Sequence, residues 1–330
     1  MTKKSTIKDI ARITGYSVAT VSRALNEFSN VTYKTKQKIL EASKKLNYVP
    51  NLAAQNLVKG KSKVIGLVLP DAGPLHRGLV NYINEEVKKN NFLIINYNSN
   101  NSQEAQRFYI ESLLRQQVDA IILSPIPGNY KIMDEILSYD TPIIILDRFL
   151  KDYNVNHILF DFRKGISQAI DILVENGRRH FFQLARQDIY YGIERRNIFY
   201  FSLKANGITY RKNHTLPVDD QCSSGYAKMS ELLKNEKKID TVFCSSDITA
   251  MGAIRAAVDK GCRIPEDIAV VGCYNLDFSE YYVPRISTIH TDFKKLAQKL
   301  VNRLFALLKD PDLDVANQNL PTGFVAKDTT

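Results

Sequence analysis

Seven short runs rich in Ile and Val recur between residues 64 and 273, and between them the apolar residues change to helical spacing. The runs are VIGLVLP (64–70), FLIINYN (92–98), DAIILSP (119–125), PIIILDR (142–148), HFFQLA (180–185), DTVFCSSD (240–247) and IAVVGC (268–273). Their length and composition are those of strands in a parallel sheet, covered on both faces. Among the helical stretches, Ile166, Ile170, Leu173 and Val174 form one apolar stripe closed by Gly177, and Asp247 to Gly261 frames another from N-cap to closing glycine. Strand–helix alternation over some 270 residues predicts a doubly wound α/β body. That length exceeds one comfortable sheet, so residues 64–330 are expected to form two lobes with a ligand cleft at the carboxyl ends of the strands.

The first 63 residues differ in kind. They hold 13 Lys and Arg against 3 Asp and Glu, whereas the other 267 residues hold 32 of each, so the net charge of +10 sits in one segment. Clustered cations of this sort suit phosphate neutralisation, although a solvated basic tail would share the composition. Periodicity argues against a tail. Thr6 and Asp9 nearly match a capping box, and Ile7, Ile10 and Ala11 give a short amphipathic helix that should stop near Gly15. Ser17 can cap a second helix that turns Val21, Ala24 and Leu25 inward and leaves Val18, Ala19, Ser22 and Arg23 outside. A third, started by Thr32 or Thr35, carries Ile39, Ala42 and Leu46 on its apolar side. Residues 1–48 therefore read as a three-helix head, and the polar, glycine-containing stretch 49–63 as a linker.

Two short helices joined by a glycine-containing turn fit a helix-turn-helix, whose second helix enters the major groove of DNA. At this point STIKDIARITGYSVATVSRALN, with KILEASKKLNYVPNLAAQNLVKGKSKVIGLVLPD after it, resembles the N-terminus of the lactose/galactose repressor (LacI/GalR) family. FCSSDITAMGAIRAA, GCRIPEDIAVVGCYN, YVPRISTIHTDF and LPTGFVAKDTT resemble further signatures of that family in order and spacing, so the likeness spans essentially the whole chain. It implies a helix-turn-helix domain ahead of a two-lobed body similar to periplasmic sugar-binding proteins. It also implies a homodimeric regulator, most often a repressor, on a pseudo-palindromic operator in double-stranded DNA.

The resemblance assigns DNA contacts. Val18 and Ala19 stand where the family varies to read bases, and Arg23 matches an arginine further along the helix. Only Arg23 can pair bidentately with guanine; Val18 and Ala19 can offer a thymine methyl apolar contact. Thr20, Ser22 and Asn26 look like phosphate-contacting or capping positions. AAQNLVKG (53–60) resembles a hinge helix, with Leu57 matching the residue that wedges into the minor groove at the operator centre.

For the effector, Asp147, Ser246 and Asp247 match cleft positions, with N-capping as the structural alternative for Asp247. Elsewhere the pattern departs. Tyr274 replaces the aspartate of G-Y-D-[DN], and ERRNIFYF sets Asn197 where the family's R-x-x-G-F arginine is expected, with Arg196 as its nearest substitute. The segment Asp161–Phe162–Arg163–Lys164–Gly165 and the short loop PDAGPLHRG also differ from the usual form. These departures leave open an altered ligand, phosphorylated or aromatic, suited to Arg196 and Tyr274, a co-regulator protein, or no effector.

Other classes fit poorly. The five histidines have no H-E-x-x-H spacing, and neither a G-x-S-x-G elbow nor a G-x-G-x-x-G after the first strand is present, so catalysis, a cofactor and a metal are not expected. A transport-type sugar-binding protein would share the body but would need an export signal and no basic head. No spanning or signal segment is read, which places the expectation in the cytoplasm. The four separated cysteines read as reduced core thiols.

Overall fold

The computed structural model describes residues 5–25, 31–48, 61–126, 131–186, 190–236 and 238–330, in two compact units, Met1–Lys63 and Val64–Thr330. Asn26, Leu57 and most of the 49–63 linker lie outside the described residues.

The first unit holds α1 (Ile7–Thr14), α2 (Val18–Leu25) and α3 (Tyr33–Lys45). At the start of α1 the Asp9 carboxylate accepts from the Thr6 amide at 2.9 Å and the Thr6 hydroxyl at 2.7 Å. Gly15 ends α1 at φ +75°, a left-handed conformation that glycine adopts without a Cβ penalty, and its amide donates to Ala11. Ser17 Oγ accepts from the Thr20 amide at 3.1 Å, and Thr32, not Thr35, caps α3. Ile10, Val21, Ala24, Ile39 and Ala42 meet in one buried core, with Leu25 and Leu46 packed against it.

The second unit contains two six-stranded sheets, and all seven apolar runs become strands in them. β1 (Val64–Leu69), β2 (Leu93–Asn98), β3 (Ala120–Leu123), β4 (Ile143–Leu146), β5 (Asn156–Asp161) and β11 (Asn317–Pro321) form the first, in the order β11-β5-β4-β3-β1-β2. β6 (Phe181–Ala185), β7 (Thr215–Pro217), β8 (Thr241–Cys244), β9 (Ala269–Tyr274), β10 (Ser287–His290) and β12 (Gly323–Val325) form the second, in the order β12-β10-β9-β8-β6-β7. Pairing is parallel except for β12 on β10. Three of the five strands beyond the seven runs, β7, β11 and β12, are edges, where one-sided cover removes the need for a continuous apolar run.

The helices are α4 (Pro74–Lys89), α5 (Gln103–Arg115), α6 (Lys131–Ile136), α7 (Arg163–Glu175), α8 (Tyr190–Ala205), α9 (Cys222–Asn235), α10 (Asp247–Asp259), α11 (Phe278–Tyr281) and α12 (Phe293–Lys309). The chain passes between lobes after β5, after β10 and between β11 and β12, because α12 returns to pack on α4 of the first lobe. An aromatic seam crosses beside these connections. The Phe293 ring lies 5.9 Å from Phe160 and 6.2 Å from Tyr274, and Phe162 meets Tyr274 edge-on at 6.5 Å. Each such ring buried contributes about 1.5–3 kcal/mol, so the seam holds the lobes to one another at their base.

Candidate nucleic-acid interface and effector cleft

Helix α2 separates its residues by face. Val21 and Ala24 are buried, whereas Ala19 and Arg23 are exposed and Val18 is 43% exposed, too open for a packed core position. Thr20 and Ser22 are half-buried beside them. The Ser17 cap leaves the amino end of α2 ordered, so Val18, Ala19 and Arg23 project from a fixed helix. This presents a groove-sized element with one guanidinium on its outer face.

In the body, a cavity of about 470 Å³ opens between the two lobes at the strand ends. Asp71 and Arg77 of the first lobe and Arg186, Asp219 and Asp220 of the second contribute to its wall, with Asn101 at one side. His76, fully buried, places Nδ1 2.8 Å from Asp71 Oδ1 and Nε2 3.9 Å from Asp147 Oδ2. Burial alone would raise the pKa of Asp71, but the His76 hydrogen bond and charge, the Gly73 amide and the Arg186 charge together hold it below the ordinary carboxylate value. Asp147, deeper in, is pushed up to about 6 by burial, against the opposing pull of His76, Arg148 and Arg195. On the facing lobe, Asp220 accepts from the Ser245 hydroxyl and lies 3.7 Å from Arg186.

The effector residues expected from the sequence take the following places. Asp147, 6% exposed, lies behind His76. Ser246, wholly buried, is the N-cap of α10, accepting from the Thr249 amide at 3.2 Å. That displaces the N-cap role expected of Asp247, which instead takes the Thr288 hydroxyl at 2.6 Å and the Leu276 amide at 2.7 Å. Burial raises Asp247 to about 7 despite those bonds. Gly272 is small because of this latch: a Cβ there would sit 2.2 Å from Asp247 Oδ1. Tyr274, at φ +94°, has its ring in the aromatic seam. Arg196 lines a different hollow of the second lobe, with Tyr200, Tyr210 and Arg211.

The side chain that takes the expected arginine place is Arg195. It is 6% exposed, donates to Ser245 O at 3.1 Å and contacts Cys273 Sγ at 3.2 Å, with its guanidinium 5.0 Å from the Phe162 ring and 5.2 Å from the Tyr274 ring. Burial pushes the Cys273 thiol up to about 12, so a neutral thiol faces that guanidinium. Counted from Arg195 the sequence reads R-x-x-I-F, and Ile198 in place of the family's glycine is what hid the register. Asp71, His76, Arg186, Asp220 and Ser245 had no such local signature. Their partners come from other elements, so spacing could not reveal them.

Comparison with known proteins agrees with both halves. The family described as bacterial regulatory proteins, lacI family, matches residues 6–51, and a periplasmic binding protein-like domain matches residues 170–330. The HTH-type transcriptional regulator MalR of Clostridium butyricum is 30% identical, over 92% of this chain and 92% of its own length. The probable HTH-type transcriptional repressor ExuR of Bacillus subtilis is 28% identical over 98% of both. A crystal structure of the lac repressor dimer bound to operator and the anti-inducer ONPF superposes with a TM-score of 0.90 at 28% identity, over 99% of each chain.

Proposed function

This chain belongs to the LacI family of bacterial transcriptional regulators, and from that premise we propose that it is a homodimeric repressor that reads a pseudo-palindromic operator through α2 and answers to a small polar ligand. The observation that carries the reading is the exposed face of α2, with Arg23 beside Val18 and Ala19, on the one segment that holds the whole net charge. Non-specific attraction comes from the surrounding lysines, and discrimination from Arg23. Thr20, Ser22 and Asn26 supply register on the phosphates, and Leu57 of each protomer wedges into the operator centre.

A dimer is supported by exposed apolar side chains on adjoining elements of the second lobe. Tyr281 on α11 is 77% exposed, Val283 just beyond it 88%, and Val258 on α10 51%. The Tyr282 hydroxyl ties α11 to Met251 of α10, so these side chains share one region. A second copy would cover them, and two heads would then double the contacts to half-sites about one helical turn apart.

The cavity favours an uncharged, hydroxyl-rich ligand over a phosphorylated one. Three aspartates and two arginines surround it, so both donors and acceptors face a bound molecule while a second negative charge would meet Asp71, Asp219 and Asp220. No helix among the described residues is long and apolar enough to cross a membrane; cytoplasmic action on chromosomal DNA follows from the proposed role.

The test is recovery of bound duplexes from fragmented genomic DNA by the purified chain at low ionic strength. Enrichment of one palindromic site by two protomers, with affinity falling steeply as salt rises, is expected. Equal retention of all fragments by a folded chain overturns the reading.

A further inference from the structure

The second lobe carries another hollow, of about 660 Å³, on a face of α8 other than the one that holds Arg195. Arg196 and Tyr200 come from α8, Tyr210, Arg211 and Asn213 from the segment after it, and Thr215 from the edge strand β7. Its size is that of a small-molecule site, well beyond an ordinary surface dimple. One wall is rigid. The Tyr210 hydroxyl is 2.7 Å from Thr215 Oγ1, and its ring stands edge-on to Phe199 and His214, 5.3 Å from each.

Charge distinguishes the hollow from a packing gap. Several exposed arginines on this body are neutralised: Arg107, Arg163, Arg255, Arg263 and Arg285 each hold a carboxylate within 3.1 Å. Among the described residues, neither Arg196 nor Arg211 has a carboxylate within ion-pair distance. Their fields are felt inside, Arg196 by the Tyr210 phenol and Arg211 by His214. Tyr200, 40% exposed, adds an aromatic ring to the lining.

Two guanidiniums suit the oxygens of a phosphate, which they bind by forked, charge-assisted hydrogen bonds. Tyrosine rings and amides suit a planar, polar ring. We propose that this hollow is a second ligand site, separate from the inter-lobe cleft, for a small phosphate ester that carries a planar ring, the chemistry of a nucleoside monophosphate. The phosphate sits between Arg196 and Arg211, and the ring lies against Tyr200 and Tyr210.

The experiment is calorimetric titration of the full chain with adenosine monophosphate, and separately with adenosine and inorganic phosphate. One bound nucleotide per chain is expected, with each half-ligand at least tenfold weaker. Arg196→Ser with Arg211→Ser should weaken the nucleotide at least tenfold, whereas Arg186→Met in the cleft should leave it within twofold. Tyr200→Ala, which removes only an exposed ring, should weaken adenosine and the nucleotide but not phosphate, and it serves if the double variant does not fold. No nucleotide binding to the wild-type chain overturns the proposal. So does unchanged binding by the hollow variants, or loss confined to Arg186→Met, which would place the ligand in the cleft. None of these outcomes bears on operator binding, which is read separately.

Discussion

Replacing Arg23 with Ala tests the DNA reading most directly, because the structure separates binding from folding at that position. Arg23 is exposed on α2, while the core contacts of that helix come from Val21 and Ala24 on its other face. Arginine and alanine have similar helix propensities, so the head should lose no more than about 0.5 kcal/mol. At the operator the account is different. One bidentate guanine contact contributes about 1–3 kcal/mol of discrimination, and a symmetric dimer makes it twice, so the loss should reach about 2–6 kcal/mol, or roughly 30-fold to 10⁴-fold in affinity. The assay is fluorescence anisotropy at fixed salt with an operator selected from random duplexes, and with the same duplex carrying A·T at the contacted G·C pairs. Wild type should prefer the first; Arg23→Ala should bind both alike, with an unchanged thermal transition of the head. If Arg23→Ala keeps the wild-type preference between the two duplexes, Arg23 does not read the base, whatever its effect on overall affinity.

Other perturbations address the body. Asp247→Ala strands the Thr288 hydroxyl and the Leu276 amide that it now accepts from, and should cost about 2–5 kcal/mol in urea unfolding; a midpoint equal to wild type would show that the latch holds nothing. Because burial holds Asp147 at about 6 against an ordinary value of 3.8, the folded chain keeps a proton there that the unfolded chain releases. Its contribution to stability is therefore greatest below about pH 4 and is lost as pH rises towards 6, and Asp147→Asn should remove that part of the slope; parallel stability–pH curves would refute the assignment. Tyr281→Asp puts a charge into the proposed dimer surface and should yield monomers in sedimentation velocity, with operator affinity lower at the same protomer concentration. Arg195→Met should abolish effector response by operator-release assay while leaving effector-free operator binding near wild type, since Arg195 lies in the body and α2 in the other unit.

Much of this architecture is legible locally. A strand such as PIIILDR or IAVVGC, covered on both sides, must be apolar at every position, so composition alone announces it. β11, NQNLP, is an edge with one side open and announces nothing. The head was readable because a short helix sorts its residues by a 3.6-residue period, which put Val21 and Ala24 inside and Val18 and Arg23 outside. The cleft was readable only to within one residue. At the end of β8 the pleat turns Ser245 towards Asp220, while Ser246 turns away to cap α10. On α8 the difference between Arg195 and Arg196 is 100° of helix rotation, which the sequence pattern alone had not resolved once Ile198 replaced glycine.

The amino-acid sequence by itself determined that this chain has a cationic three-helix head, a parallel α/β body and a second short helix with Arg23 on its outside, because each of these follows from periodicity and charge within a single segment. Only the tertiary structure decided which polar groups line the cavity, that Asp147 and Asp247 are buried against His76 and Thr288, and that Arg196 lines another hollow. Those outcomes depend on contacts between residues such as Asp247 and Thr288, or Arg195 and Phe162, that are distant in the chain, and burial assigns their roles only after the lobes have closed on them.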